Sequence, residues 1–179
     1  MATIFALLYP LSHSMLTLVG FVGSISAATA DTLATEIGLL YAHQPRLITN
    51  LRRRVPTGTS GGVSTLGFYA TLLGSFFIWL PTFLLGSSLP FDALQKRLLL
   101  VVIAGGFAGS ILDSVLGASI QGLHKCPVCG MTTEKEYHCG EITTLLRGYG
   151  NIDNNVVNFL AIGGGALVSI VAYSVLLLI

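Results

Sequence analysis

The sequence predicts an all-α integral membrane protein: about four transmembrane helices in a bundle, with a Cys/His loop on the cytoplasmic side. Of 179 residues, 53% are hydrophobic and only 9% are Asp, Glu, Lys or Arg, against about 25% charged in a soluble domain. Mean hydropathy is +0.78, and the apolar residues fall in runs that reach the roughly 20 residues needed to cross the hydrocarbon core. A formal net charge of +1 and the absence of a basic tail give nucleic acid nothing to bind, so none is expected as a partner. The expected surroundings are the lipid bilayer.

The elements follow in order. Residues 1–9 are apolar but too short to span alone and read as an interfacial start or the stump of a longer segment; with no Lys or Arg in the first ten residues, no signal-peptide n-region is expected. A first span runs over about 14–37, with Pro10 marking its start and Gly38 its end. A second runs over about 62–86 and kinks at Pro81. A third covers about 98–123, and the fourth about 156–179. Together 1–179 form one membrane domain, with 124–140 as a possible zinc-knuckle loop within it. Arg46, Arg52, Arg53 and Arg54 follow the first span, Lys96 and Arg97 the second, and Lys125, Lys135 and Arg147 the third. The positive-inside rule puts both larger loops in the cytoplasm, with the plasma membrane of a prokaryote as the expected location.

That topology gathers the polar residues. "AATADTLATEIG" (Ala27–Gly38) carries Asp31 and Glu36 at the cytoplasmic end of the first span, where an acid is costly unless placed for function or paired. Asp113 lies in the cytoplasmic half of the third span, in a row of small residues with Gly105, Gly109 and Gly117; such rows let helices approach closely. "GFVGSI" (20–25) recurs as "GFAGSI" (106–111), each ahead of an acid. "GTSGG" (Gly58, Thr59, Ser60, Gly61, Gly62) follows "RRR" and opens the second span. Free amides at a helix start bind phosphate, although the lysine of a Walker A loop is absent. "DNN" opens the fourth span, with Asn154, Asn155 and Asn158 as amide ligands and Asp153 as a cap. Asp31 and Asp113, with Glu36 as a third, are expected to hold Mg²⁺ against phosphate. Gly58–Gly62 and Arg52–Arg54 would cradle the phosphate oxygens.

"HKCPVCGMTTEKEYHCG" (124–140) holds all three cysteines. An odd number in one short loop argues against a disulfide framework. Cys126, Cys129 and Cys139 are candidate ligands of a structural Zn²⁺, with His138 or His124 as the fourth.

"ADTLATEIG", "VPTGTSGGVSTLG", "GSILDSVLGASIQG" and "DNNVVNFLA", in that order, resemble the domain-of-unknown-function 92 family, which includes the transmembrane protein 19 group and the plant phytyl-phosphate kinase. The resemblance implies phosphorylation of a prenyl or phytyl monophosphate to the diphosphate, with CTP or ATP as donor. Family members usually carry further hydrophobic segments upstream, so a fragment or a reduced member is expected, and a homo-oligomer stays open. The alternatives are a cation-coupled transporter and a lipid cytidylyltransferase-like enzyme.

Overall fold

The structure is a computed structural model that describes residues 1–84 and 95–178. Residues 85–86 of the second expected span and Ile179 of the fourth lie outside the described residues. Among the described residues there are five helices: α1 (Ala2–Ser12), α2 (Met15–Gly38), α3 (Thr65–Leu84), α4 (Gln95–Ser119) and α5 (Asn154–Leu177). Four helical stretches among the described residues are long and apolar enough to cross a membrane: Met15–Gly38, Thr65–Leu84, Leu98–Ser119 and Asn154–Leu177. The chain is a multi-pass integral membrane protein.

Helix ends follow local chemistry. Ser14 caps α2, its side chain accepting from the Leu16 amide, and Asp153 caps α5 by accepting from the Val156 amide at 3.0 Å. Both satisfy donors left orphaned in a first turn. Four boundaries differ from expectation. Pro10 lies inside α1, which ends where His13 turns into the left-handed region at φ 45°. The second membrane helix starts at Thr65, because Gly62–Val63 pairs as a strand instead. Lys96 and Arg97 belong to the first turn of α4 and not to a connecting turn. The third helix stops at Ser119, short of Leu123, which joins a strand.

α2 and α4 form the centre of the bundle. α2 packs against α3, α4 and α5, α4 packs widely on α5, and α3 and α5 flank the central pair. Small residues make this close approach possible. A Cβ built on Gly74 of α3 would lie 2.8 Å from the Ala30 Cα of α2, and one on Gly109 of α4 would lie 3.2 Å from the Ala27 Cα. Buried serines join the helices: Ser26 Oγ donates to the Val102 carbonyl at 2.9 Å, and Ser169 Oγ to the Val101 carbonyl at 3.2 Å. Such bonds between membrane helices are worth about 0.6 kcal/mol each on average. Large apolar side chains instead face outward, among them Phe77, Leu100, Leu167 and Val171, the arrangement that suits a lipid solvent.

Short strands, which the sequence reading did not anticipate, fold the connections. β1 (Arg46–Leu47), β2 (Asn50–Arg54) and β3 (Gly62–Val63) form an antiparallel sheet in the order β2-β1-β3. β4 (Leu123–Lys125), β5 (Thr132–Thr133) and β8 (Thr144–Arg147) form a second, in the order β5-β4-β8; β6 (Tyr137–His138) and β7 (Glu141–Ile142) form a hairpin.

Candidate functional site

A cavity of about 190 Å³ opens between α2, α3 and α4, beside the first residue of α5 and strand β3. Its wall includes Asp31, Asp113, Glu134 and Asn154, together with the whole of Thr57–Ser64. Acids from two helices thus face one glycine-rich turn. Pockets that enclose a whole ligand run to about 300–1,000 Å³, so this one suits a polar head group.

The acids are held unequally. Ser110 Oγ donates to Asp31 Oδ1 at 3.2 Å. Asp113 Oδ1 is buried with no hydrogen-bond partner among the described residues. Asp113 also lies within electrostatic reach of both Asp31 and Glu134. An orphaned buried carboxylate oxygen beside two further acids is a costly arrangement in a protein interior. It becomes favourable when a cation sits among them. Carboxylate oxygens with room for water are the donor set that Mg²⁺ takes, so the residues present fit such an ion. Partial burial pushes the Glu134 carboxyl above the ordinary carboxylate range, with the nearby Asp153 adding to the effect.

The glycine-rich stretch is a turn and not a helix start, which corrects the expectation that its amides belong to an α-helix N-terminus. Gly58 and Gly61 take φ of 84° and 79°, the left-handed region where glycine pays no steric penalty. These two bends return the chain to β3, and Ser64 then caps α3 by accepting from the Gly67 amide at 3.1 Å. Thr59 and Gly62 amides are used within the turn, bonding to Pro56 and Thr59 carbonyls. Among the described residues, the amides of Gly58, Ser60 and Gly61 have no acceptor. Ser60 and Gly61 are consecutive, and consecutive free amides in such a turn can form an anion-binding concavity without any helix dipole.

The last members of the α4 small-residue row fix this turn. A Cβ on Gly117 would meet the Gly61 amide nitrogen at 3.4 Å, and Gly61 itself rests on Ala118. Ser60 Oγ donates to Oε1 of the buried Gln121 at 2.7 Å, and Arg147 Nη2 reaches the Gly117 carbonyl at 3.2 Å and that of Ser60 at 3.4 Å.

The other candidates are placed elsewhere. Glu36 is exposed and does not line the cavity: α2 stays regular through 31–36, and five residues along a helix turn a side chain about 140°. Arg52, Arg53 and Arg54 lie exposed on β2, outside the cavity wall. Asn155 bonds Asp153 Oδ2 at 3.1 Å, and Asn158 is half-buried away from the wall. Glu134, Gln121 and Arg147 were not singled out as site residues, since nothing in their local sequence marks them; long-range folding brings them in.

The cysteine loop forms a second cluster. One ligand atom each from Cys126, Cys129, His138 and Cys139 lies within 4.8 Å of all the others. His124 is not among them, its Nδ1 being 3.1 Å from Thr143 Oγ1. The Cys126 thiol is drawn down to about 6, chiefly by the Cys129 backbone amide, whereas Cys139 is pushed up to about 11, chiefly by its side-chain contact with Cys129.

Comparison with known proteins gives a match to the family model described as "Integral membrane protein DUF92" over residues 1–166. Protein PGR of Arabidopsis thaliana is 34% identical over 148 residues, covering 80% of this chain and 50% of that protein. Protein VTE6, chloroplastic, of the same plant is 31% identical over 159 residues, covering 89% of this chain and 39% of its own length. An uncharacterised membrane protein of Methanocaldococcus jannaschii is 40% identical over 101 residues, 56% of this chain and 39% of that one. The chain therefore spans half or less of the length of these relatives. No solved structure matches.

Proposed function

The chain belongs to the DUF92 family of integral membrane proteins, and from that membership and the chemistry of the cavity we propose that it phosphorylates a prenyl or phytyl monophosphate to the diphosphate at the expense of CTP or ATP. The observation that carries this reading is the pairing, in one small cavity at one end of an apolar bundle, of Asp31 and the orphaned Asp113 with the Gly58–Gly62 turn. Phosphoryl transfer asks a protein mainly for positioning and charge neutralisation, and these are the groups that supply both.

Asp31 and Asp113 would hold Mg²⁺, with Glu134 at the mouth; when bound, the ion offsets phosphate charge. The Gly58, Ser60 and Gly61 amides would receive phosphate oxygens, and Asn154 would orient the donor. Ser110 keeps Asp31 aimed inward. An oxygen of the lipid monophosphate attacks the γ-phosphorus, the β–γ bridging bond breaks, and the nucleoside diphosphate leaves. The attacking phosphate is already anionic, so no histidine base is needed. The apolar wall residues Leu39, Ile48, Phe68 and Ile111 offer the prenyl chain a path towards lipid. In this reading the cavity faces the cytoplasm, where the nucleotide is, in agreement with the arginines of β2 beside it.

Parallel assays with α-labelled and γ-labelled CTP test the reaction class. Label recovered in lipid from the γ position alone supports the kinase. Label from the α position, with pyrophosphate released, would replace it with a cytidylyltransferase. Neither label in lipid, with proteoliposomes instead showing cation-dependent uptake of solute, would favour a transporter.

A further inference from the structure

The three thiols and the imidazole of the cysteine loop are brought to one point by a backbone that has to be bent to do it. His138 and Cys139 are adjacent in sequence, and side chains of neighbouring residues in a strand point apart. Here Cys139 takes φ 54° and Gly140 φ 82°. A non-glycine residue in that region is uncommon and costs energy. The bend is what turns both side chains the same way: His138 Nδ1 lies 3.2 Å from Cys139 Sγ and 3.5 Å from Cys129 Sγ. Around a tetrahedral zinc with Zn–S of about 2.3 Å and Zn–N of about 2.1 Å, sulfur and nitrogen ligands stand about 3.6 Å apart, and two sulfurs about 3.8 Å. Both observed nitrogen–sulfur spacings fall just short of the zinc value, so the cluster needs only a slight opening to admit the ion. On the other arm, the Cys126 amide donates to the Met131 carbonyl at 2.9 Å and the Gly130 amide to the Cys126 carbonyl at 3.0 Å, forming a knuckle that points both sulfurs of the CPVC stretch inward.

We propose that Cys126, Cys129, His138 through Nδ1 and Cys139 bind one Zn²⁺, and that this ion clasps the β4–β5 hairpin to the β6–β7 hairpin and so fixes Glu134 at the cavity mouth. Four protein ligands fill the tetrahedron, which makes the site structural and not catalytic. Glu134 sits on the segment that runs between the two clasped arms, from Thr133 to Tyr137. Thr143 holds the rest of that segment: its amide donates to the Glu136 carbonyl at 2.8 Å, and its hydroxyl lies 2.8 Å from the Lys135 carbonyl. Zinc binding stands independently of the kinase reading; only the importance of placing Glu134 rests on it.

The test uses the full chain, purified without chelator. Elemental analysis is expected to give one zinc per chain, lost from the Cys126→Ser/Cys129→Ser variant while its elution in detergent is unchanged. Replacement with Co²⁺ alone in the wild-type protein is expected to produce thiolate charge-transfer bands and tetrahedral d–d bands. Trypsin is expected to spare Lys125 and Lys135 in the zinc form and to cut there after chelation. A metal-replete wild-type protein without zinc and without cobalt–thiolate bands would overturn the site. Zinc retained by the double variant would overturn the ligand set, and equal cleavage with and without zinc would overturn the clasp. None of these readouts depends on transfer activity.

Discussion

Asp113, whose buried Oδ1 has no partner among the described residues, shares one cavity wall with Asp31 and Glu134, and three acids on one wall are the strongest single argument for a cation there. Replacing this residue with Asn keeps the shape and removes the charge, so the variant is expected to insert normally and to lose Mn²⁺ binding, read by paramagnetic resonance with Mn²⁺ standing in for Mg²⁺. Unchanged Mn²⁺ affinity would count against the assignment. Asp153 acts on the protein's stability instead. Its carboxyl is held below the ordinary range, chiefly by the Val156 amide, so its contribution is complete above the ordinary carboxylate value near about 3.9 and is lost as pH falls through its lower folded value. Asp153→Ala should lower Tm at neutral pH and flatten the acid limb of the Tm–pH curve, whereas Asp153→Asn should keep most of the cap. Asp31, Asp113 and Asn154, which line the cavity, stood out as candidates because polar groups are rare in or beside an apolar run. Glu134 did not, since a charge in a polar loop carries no such contrast.

Among the elements, α3 and the Gly58–Gly62 turn show what the small residues are for. Gly74→Val would drive a side chain into the Ala30 backbone, where a Cβ alone already comes within 2.8 Å. Overpacking of this kind costs about 1–3 kcal/mol, and thermal unfolding in detergent should show it. Gly58→Ala is a different experiment, because nothing lies within 4 Å of the added Cβ and only its φ of 84° opposes the change. Its penalty should be about 1 kcal/mol, with phosphate affinity weakened because the turn's amides are re-aimed. The four spans could be read from hydropathy to within a few residues. The two-residue strands could not, because a strand that short has no period to detect. Missing them is what led the glycine-rich stretch to be read as a helix start.

The described residues form a bundle whose helices meet through glycine, alanine and serine beside a small core of Val19, Leu98, Val101 and Tyr173, and whose outer surface is apolar. Close backbone packing at the α2–α4 seam brings Asp31 and Asp113, each following one copy of the repeated hexapeptide, into one cavity. The two sheets then cover that end of the bundle and contribute the turn and Glu134. In this division the membrane bundle supplies the two acids and the folded connections supply the Gly58–Gly62 turn and Glu134, all to one cavity wall. Label transfer tests the proposed role of this site most directly: Mg²⁺, γ-labelled CTP or ATP and phytyl or geranylgeranyl monophosphate supplied to the wild-type protein and to Asp113→Asn, each in lipid nanodiscs. Labelled prenyl diphosphate from the wild type, reduced at least about 100-fold in the variant as expected when a group stabilising transition-state charge is removed, is the predicted result. Equal transfer by both proteins would contradict it.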